Sequence, residues 1–206
     1  GFSWAWDASV LFTPVDNFRL GFSFASGAET TLEGDVTLTS PDKKTVSKST
    51  QTTQVPLPYT LRAGFNWAMV PDFELGMDIF YWHYQVFQEQ RSILSTPIMG
   101  MSEFRDPKNY GNSWDWCIGV LYKASDTIDI MTGFQMDFTP IPSTTYSLDN
   151  PTTDQMGVSI GARWAVTPTL RLGMSLYRNW FNMIDVQDSQ GLPPSNVKGH
   201  GAVTSM

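Results

Sequence analysis

Residues 56–87 read PLPYTLRAGFNWAMVPDFELGMDIFYWHYQVF, and the fold follows from how they alternate. Leu57, Tyr59, Leu61, Ala63, Phe65, Trp67 and Met69 take every second position, while Pro58, Thr60, Arg62, Gly64, Asn66 and Ala68 fall between them. After the turn Val70-Pro71-Asp72, Phe73, Leu75, Met77 and Ile79 alternate with Glu74, Gly76 and Asp78. A period of two is the strand period, so each strand presents one apolar and one polar face. A water-soluble antiparallel sheet alternates too. Here each apolar face runs the whole strand and is edged by Tyr59, Trp67 or Tyr81, which is the pattern of a hairpin in an outer-membrane barrel with aromatic girdles.

The same alternation recurs outward from this hairpin. It covers Trp4–Phe12, Phe18–Phe24 with an extension to Leu38, Trp114–Tyr122, Ile128–Phe138, Met156–Val166, Leu170–Tyr177 and a weak last stretch, Val197–Met206. With the opening pair this makes nine strands. Short turns at 14–17, 70–72, 124–127 and 167–169 alternate with longer loops at 39–54, 88–112, 140–153 and 185–196. Outer-membrane barrels sort their connections in this way, with short periplasmic turns and longer outer loops. The expected fold is therefore all-β, an antiparallel transmembrane β-barrel, with residues 1–206 forming one barrel portion. Single-chain barrels use even strand numbers, and an open edge is not tolerated in lipid. Strands are expected before Gly1, and the last strand is expected to be cut short.

Composition narrows the function classes. The 206 residues carry a net charge of −7 with a pI near 4.6, which argues against nucleic acid as a partner. No apolar run approaches the roughly 18 residues of a transmembrane helix. Cys117 is alone, so there is no disulfide framework. His83 and His200, the two histidines, are too scattered for a metal cluster. No nucleotide or cofactor motif appears, so no cofactor is expected. His83 with Asp78 and a serine makes only a weak hydrolase triad, and no catalytic residue is assigned.

With the apolar parity facing lipid, the inner wall carries Asp7, Glu74, Asp78, Asp115, Asp129 and Asp137 against Arg19, Arg62, Arg163 and Arg171. If Met69 pairs with Phe73, Arg62 faces Phe80 and Asp78 lies on the diagonal, within reach of a long side chain. The leading expectation is a ladder of structural ion pairs. The sharper one is that Arg62 or Arg19 binds a carboxylate headgroup. The pattern breaks after Ile79: Phe80, Trp82 and Tyr84 take the inward parity, and His83 and Gln85 the outward one. Either the strand leaves the membrane there or a bulge switches its faces. Without a bulge, Phe80, Trp82 and Tyr84, with Tyr177 and Phe181 on a later strand, line an apolar path near the outer mouth. The alternative is packing beneath the outer loops. Ile98, Met99, Met101 and Phe104 would help to capture a greasy solute or would form a small loop core.

Four segments resemble the FadL-type family of outer-membrane transporters for long-chain fatty acids and aromatic hydrocarbons. They are Leu57-Pro58 leading through Gly64 to Asp78 and Phe87; Trp114 to Tyr122 with Gly119; Thr132-Gly133 followed by Asp137-Phe138-Thr139-Pro140-Ile141-Pro142; and Asp154 with Ser159 and Gly161. The resemblance implies a barrel of about 14 strands, plugged by an N-terminal hatch, with this chain supplying the last nine. The hatch and early strands would be absent. Asp115, Met131, Tyr84 and Gln155 depart from residues common in that family, so the inner charge network is its own. The function implied is passive transport of hydrophobic small molecules across the bacterial outer membrane. The partners would be membrane lipid, lipopolysaccharide and the solute. The alternative is a structural or surface-interaction barrel whose long outer loops bind a protein partner.

Overall fold

A computed structural model describes residues 2–39, 46–148, 150–190 and 196–205. Within them the chain forms thirteen strands: β1 (Asp7–Val15), β2 (Phe18–Ala25), β3 (Ala28–Thr39), β4 (Val46–Leu57), β5 (Thr60–Val70), β6 (Phe73–Trp82), β7 (Glu89–Ile98), β8 (Met101–Pro107), β9 (Ser113–Lys123), β10 (Ile128–Asp137), β11 (Gln155–Ala165), β12 (Arg171–Val186) and β13 (Val197–Ser205). Every pairing is antiparallel. A nine-stranded wall runs β1-β2-β5-β6-β9-β10-β11-β12-β13, and a second sheet runs β3-β4-β7-β8. The nine strands of the wall are the nine read from the alternation. Among the described residues no helix is long and apolar enough to cross a membrane.

The second sheet corrects the loop assignments. Residues 39–54 and 88–112 are not simply loops. β4 pairs with β3 from Ala28↔Leu57 to Thr39↔Val46, and β7 with β8 forms a hairpin. Residues 40–45 lie outside the described residues, as do Gly1, 191–195 of the last loop, and Met206. β4 is rich in Thr and Ser on both faces, so it has strand propensity without the one-sided apolar signature. The β7–β8 turn is Met99-Gly100, with φ of 52° and 81°. Positive φ at both central residues is the type I′ geometry that matches strand twist.

Two residues separate β2 from β3, and two separate β4 from β5. The β3–β4 hairpin therefore prolongs the β2–β5 pair, beyond the wall and away from the short turns. A Cβ on Gly27 would lie 2.7 Å from the Leu57 carbonyl oxygen, so the two strands approach too closely there for any larger residue. Pro58 has no N–H to continue the ladder. The expected strand from Trp4 begins only at Asp7, and Trp6 is held instead by Ser26, whose Oγ accepts the Trp6 N–H at 2.9 Å.

The wall is two-faced. Val10, Phe22, Ile160, Leu172 and Met174 are more than half exposed on the apolar face, as lipid-facing side chains are in the absence of lipid. Towards the second sheet this face ends in a chain of rings: Trp6–Phe24 at 5.0 Å, Phe24–Tyr59 at 5.9 Å, Tyr59–Tyr81 at 6.0 Å and Tyr81–Trp114 at 4.7 Å. Phe18 and Trp67, with Tyr122 and Trp164, mark the turn end. From Tyr81 to Phe73 is roughly 26 Å along the strand at about 3.3 Å per residue, enough for the apolar band of a barrel. The buried core is small and lies in the outer connections: Tyr110, Ile141, Tyr146 and Val186, with Tyr84, Phe87, Ile184 and Val197 packed against them.

Candidate lumenal site

Short turns fix register, and register decides which inward side chains meet. On the polar face Asn66 stands opposite Gly76, Gly76 opposite Gly119, Gly119 opposite Gly133 and Gly133 opposite Ser159. These small residues leave a trough of about 450 Å³, bordered by Asp78, Cys117, Gln135 and Tyr177. Tyr177 lies across Gly157 of the next strand, covering the position a Cβ would need, and its hydroxyl accepts a hydrogen bond from Gln135 Nε2 at 2.9 Å.

Met69 does not pair with Phe73. An irregularity between Ala68 and Val70 sets Val70 opposite Phe73, while the rest of the hairpin keeps the expected register with Arg62 opposite Phe80. Arg62 reaches the diagonal Asp78: Nε donates to Oδ1 at 3.1 Å and Nη2 lies 3.0 Å from Oδ2. Its guanidinium carbon sits 4.8 Å from the centre of the Phe80 ring. Hydrogen bonding to Asp78 thus occupies the cation on one side, and the ring covers it on the other.

No bulge switches the faces of β6, whose pairing with β5 and β9 continues through Trp82. Phe80 and Trp82 accordingly share the inward face with Arg62 and Asp78. Trp82 Nε1 donates to Asp115 Oδ2 at 2.5 Å, and its ring stacks on Tyr84 at 6.0 Å. Tyr84 has left the strand for a one-turn 3-10 segment, Tyr84–Val86, and packs edge-on against Tyr110 in the outer core. Burial pushes its phenol up from the ordinary 10, and the Asp115 and Asp137 carboxylates push the same way. Phe181 lies inward on β12, opposite Gln155. Of the apolar loop residues, Ile98 is buried at the tip of the outer hairpin, while Met99, Met101 and Phe104 remain exposed.

The register assembles a group that the sequence showed only as separate charges. Phe80 faces Asp115, Asp115 faces Asp137, Asp137 faces Gln155 and Gln155 faces Phe181. Gln155 Nε2 donates to Asp137 Oδ2 at 2.5 Å, and Asn179 Nδ2 donates to Gln155 Oε1. Counting back from the short turn at 124–127 sets Asp115 opposite Asp137, a signal available to sequence reasoning but not used there.

Apart from Asp7, which opens β1 at its outer end, the other inward charges gather at the turn end. Arg163 grips Asp129 through Nε at 2.9 Å and Nη2 at 2.6 Å, and Lys123 Nζ lies 4.0 Å from Glu74. Arg171 joins Asp129 and Arg163 around a polar cavity of about 570 Å³. Arg19 sits one residue into β2, and among the described residues it has no ion pair. His83 faces outward, stacked on Tyr59 at 4.6 Å with Nδ1 3.3 Å from the Tyr81 hydroxyl, so it cannot act with the inward Asp78. Among the described residues no group of three His, Cys, Asp or Glu side chains is placed to hold a metal ion.

A two-faced antiparallel wall, ringed by aromatics at both ends and polar within, is that of a transmembrane β-barrel of the outer membrane. The chain belongs to the family described as outer membrane protein transport protein (OMPP1/FadL/TodX), which it matches over residues 1–204. Among solved structures it is similar to a Pseudomonas aeruginosa FadL homologue, with a TM-score of 0.77 at 17% identity over 96% of this chain and 49% of that one. It is also similar to a TodX monoaromatic hydrocarbon channel deltaS2 mutant, with a TM-score of 0.71 at 17% identity over 98% of this chain and 48% of that one. The CymD monoaromatic hydrocarbon channel gives 0.63 at 14% identity over 85% and 46%. At such identities the likeness is one of fold. The chain spans about half the length of these structures. No curated protein matches it significantly in sequence.

Proposed function

We propose that this chain forms part of the wall of a passive channel for hydrophobic small molecules, of the class of long-chain fatty acids and aromatic hydrocarbons. The observation that carries the reading is the inward aromatic run Phe80, Trp82 and Phe181 at the outer end of a wall whose inner face is otherwise mostly glycine and polar residues, its other large apolar side chains, Leu11, Leu121 and Met131, lying nearer the turns. Greasy side chains facing water inside a barrel are costly unless a greasy solute uses them. Tyr84 and Tyr177 extend the aromatic surface above and below, Arg62 lies beside Phe80 in its pair with Asp78, Arg19 stands further down at the turn end, and the solute moves down its gradient with no catalytic group needed. The family and the monoaromatic hydrocarbon channels of like fold support this reading. A second reading, a surface that binds a protein partner, is favoured by the outer sheet, whose β3 and β8 are edge strands among the described residues. The test is solute uptake by cells producing the full-length protein. Replacing Phe80 and Trp82 together by Ala lowers uptake of a monoaromatic hydrocarbon several-fold if the channel reading holds. Unchanged uptake with normal assembly in the membrane overturns it.

A further inference from the structure

The inward charges are sorted along the strands. Asp7, Asp78, Asp115 and Asp137 lie five to nine residues from the short turns, with Arg62 the single inward cation of the wall beside them among the described residues. Arg19, Lys123, Arg163 and Arg171, with Glu74 and Asp129, all lie within two residues of a turn. Asp115 is roughly 26 Å along β9 from Lys123 at about 3.3 Å per residue. That exceeds the screening length of about 8 Å in physiological salt. The turn-end cations therefore do not neutralise the outer carboxylates. Arg62 does not either, because its charge is matched by Asp78, which holds it by two contacts, with Phe80 against one face and the side chain half exposed.

Asp115 and Asp137 consequently face each other with no cation between them, an arrangement in which like charges directly opposite destabilise a sheet. Their remaining hydrogen-bond capacity points the same way. Asp115 Oδ2 takes the Trp82 N–H, while Oδ1, buried beside the Asp137 carboxylate and the Phe138 N–H, has no well-formed hydrogen bond among the described residues. Asn179 is only 7% exposed, and its Oδ1 is also without a partner. The chain of amides explains that second orphan. Asp137 can only accept while ionised, so Gln155 turns its NH₂ towards it and its oxygen towards Asn179. Asn179 must then give its own NH₂ to Gln155 and is left with an oxygen. Both unpartnered atoms are acceptors, and each costs free energy until a donor reaches it.

Aromatic rings flank the acids on either side, since the row runs Phe80, Asp115, Asp137, Gln155, Phe181. We propose that this row is a capture site for hydrophobic molecules with a hydrogen-bond-donating head, an alcohol, a phenol or a protonated amine, and that it discriminates against the matching carboxylates. The rings take the apolar body, and the acids and the amide chain take the donor. The inference rests on the channel reading and narrows it, favouring solutes with neutral or cationic heads over the ionised fatty acids within that class. A carboxylate entering here meets two carboxylates and an arginine already paired with Asp78, whereas an ammonium or hydroxyl finds Asp115 Oδ1 and Asn179 Oδ1 as acceptors, the row's donors being committed to Asp115, Asp137 and Gln155.

The test uses the purified full-length protein in detergent and isothermal titration with ethylbenzene, 2-phenylethylamine, 2-phenylethanol and phenylacetate. The amine and the alcohol bind at least about tenfold more tightly than phenylacetate, the scale of one charge-assisted hydrogen bond. In the Asp115→Asn, Asp137→Asn variant the gap closes to about twofold. With Asp115→Asn the side-chain amide oxygen still accepts the Trp82 N–H, and heat-dependent gel mobility reports whether the barrel is intact. Should the double variant fail to assemble, Asp137→Asn alone must halve the gap or more. Equal binding of phenylacetate and the amine, or a gap that survives in an assembled variant, overturns the proposal while ethylbenzene binding leaves the channel reading standing. Binding of none of the four overturns both.

Discussion

The nine-stranded wall and the four-stranded outer sheet are built from the same chain by the same antiparallel pairing, yet they bury different things. In the wall, apolar residues face outward: Ile160 on β11 is 57% exposed and Met174 on β12 is 70% exposed. In the outer sheet the apolar residues that matter face inward: Leu94 is 4% and Ile98 2% exposed, alongside buried Ser49, Thr53 and Ser92. There the hydroxyls satisfy one another, with Thr53 Oγ1 2.7 Å from Ser92 Oγ and Gln51 Nε2 donating to Ser92 Oγ at 2.9 Å. The wall is inside out because its solvent is lipid, while the outer sheet follows the rule for water.

A charge placed on each sheet separates the two most strongly. Ile160 and Ile93 are alike in residue type, in strand context and in exposure, at 57% and 47%. Ile160→Arg sets a guanidinium midway along a lipid-facing strand and costs about 3 kcal/mol. Ile93→Arg changes stability by less than about 0.5 kcal/mol, as most exposed substitutions do in water. Urea unfolding of the protein in lipid vesicles measures both. Equal costs would mean that the two sheets share a solvent.

The same contrast explains what was legible in the sequence. The wall could be read because lipid on one side and water on the other force alternation at every step, so Leu57–Met69 and Phe73–Ile79 declared both strand and face. β4 and β8 could not: the covered face of β4 is itself polar, with Ser49, Gln51 and Thr53 hydrogen-bonded to the neighbouring strand, and Thr50, Thr52 and Arg105 on the open faces need no apolar partner. Within the site, Arg62 with Asp78 followed from register counted across one short turn. The Asp115–Asp137–Gln155–Asn179 group runs through four strands, and its middle step, from Asp137 on β10 to Gln155 on β11, crosses a medium loop whose length fixes no register. Three positions that depart from the resembling family, Tyr84, Asp115 and Gln155, come together there, although one by one they looked unrelated.

Packing offers a second way to sharpen the comparison. Ile98 is buried beside the Met99-Gly100 turn, and Ile98→Ala costs the outer sheet about 2 kcal/mol, at the low end for a buried aliphatic because the sheet is small. The wall makes no use of that side chain. Hydrogen exchange should therefore rise in β7 and β8 and stay unchanged in β9 to β12. Faster exchange throughout would show that the two sheets unfold as one unit.

A smaller effect probes the polar face of the wall. A Cβ on Gly157 collides with the Tyr177 ring, whereas one on Gly76 finds its nearest neighbour, the Phe65 carbonyl oxygen, at 3.6 Å. Gly157→Ala swings Tyr177 away, breaks its bond to Gln135 and costs about 1 kcal/mol. Gly76→Ala costs less than about 0.5 kcal/mol. Thermal unfolding of the two variants side by side checks the ordering, and the reverse order would remove Tyr177 from its place over Gly157.

The smallest effect belongs to the rim of the outer sheet, where titration replaces mutation. Glu103 accepts from Arg91 Nε at 2.8 Å and from Arg105 Nε at 2.8 Å, and these hydrogen bonds hold its carboxyl below the ordinary 4.5. Because the folded form is the more acidic, the triad's contribution to stability is complete above the ordinary carboxylate range. It is lost as pH falls through the lowered folded value. The three side chains are open to water and salt, so the loss is slight. It is also local: hydrogen-exchange protection at the β7–β8 pairing Arg91↔Arg105, taken relative to the intrinsic rate at each pH, should fall at acid pH, and Glu103→Gln should abolish that dependence by removing the titrating group. The wall around Ile160 has no such group to titrate on its lipid face, so its exchange should not follow the same curve. If it does, the acid response comes from the lumenal carboxylates instead, and the outer sheet is not the separate, water-adapted unit that its buried Ile98 and exposed ion pairs describe.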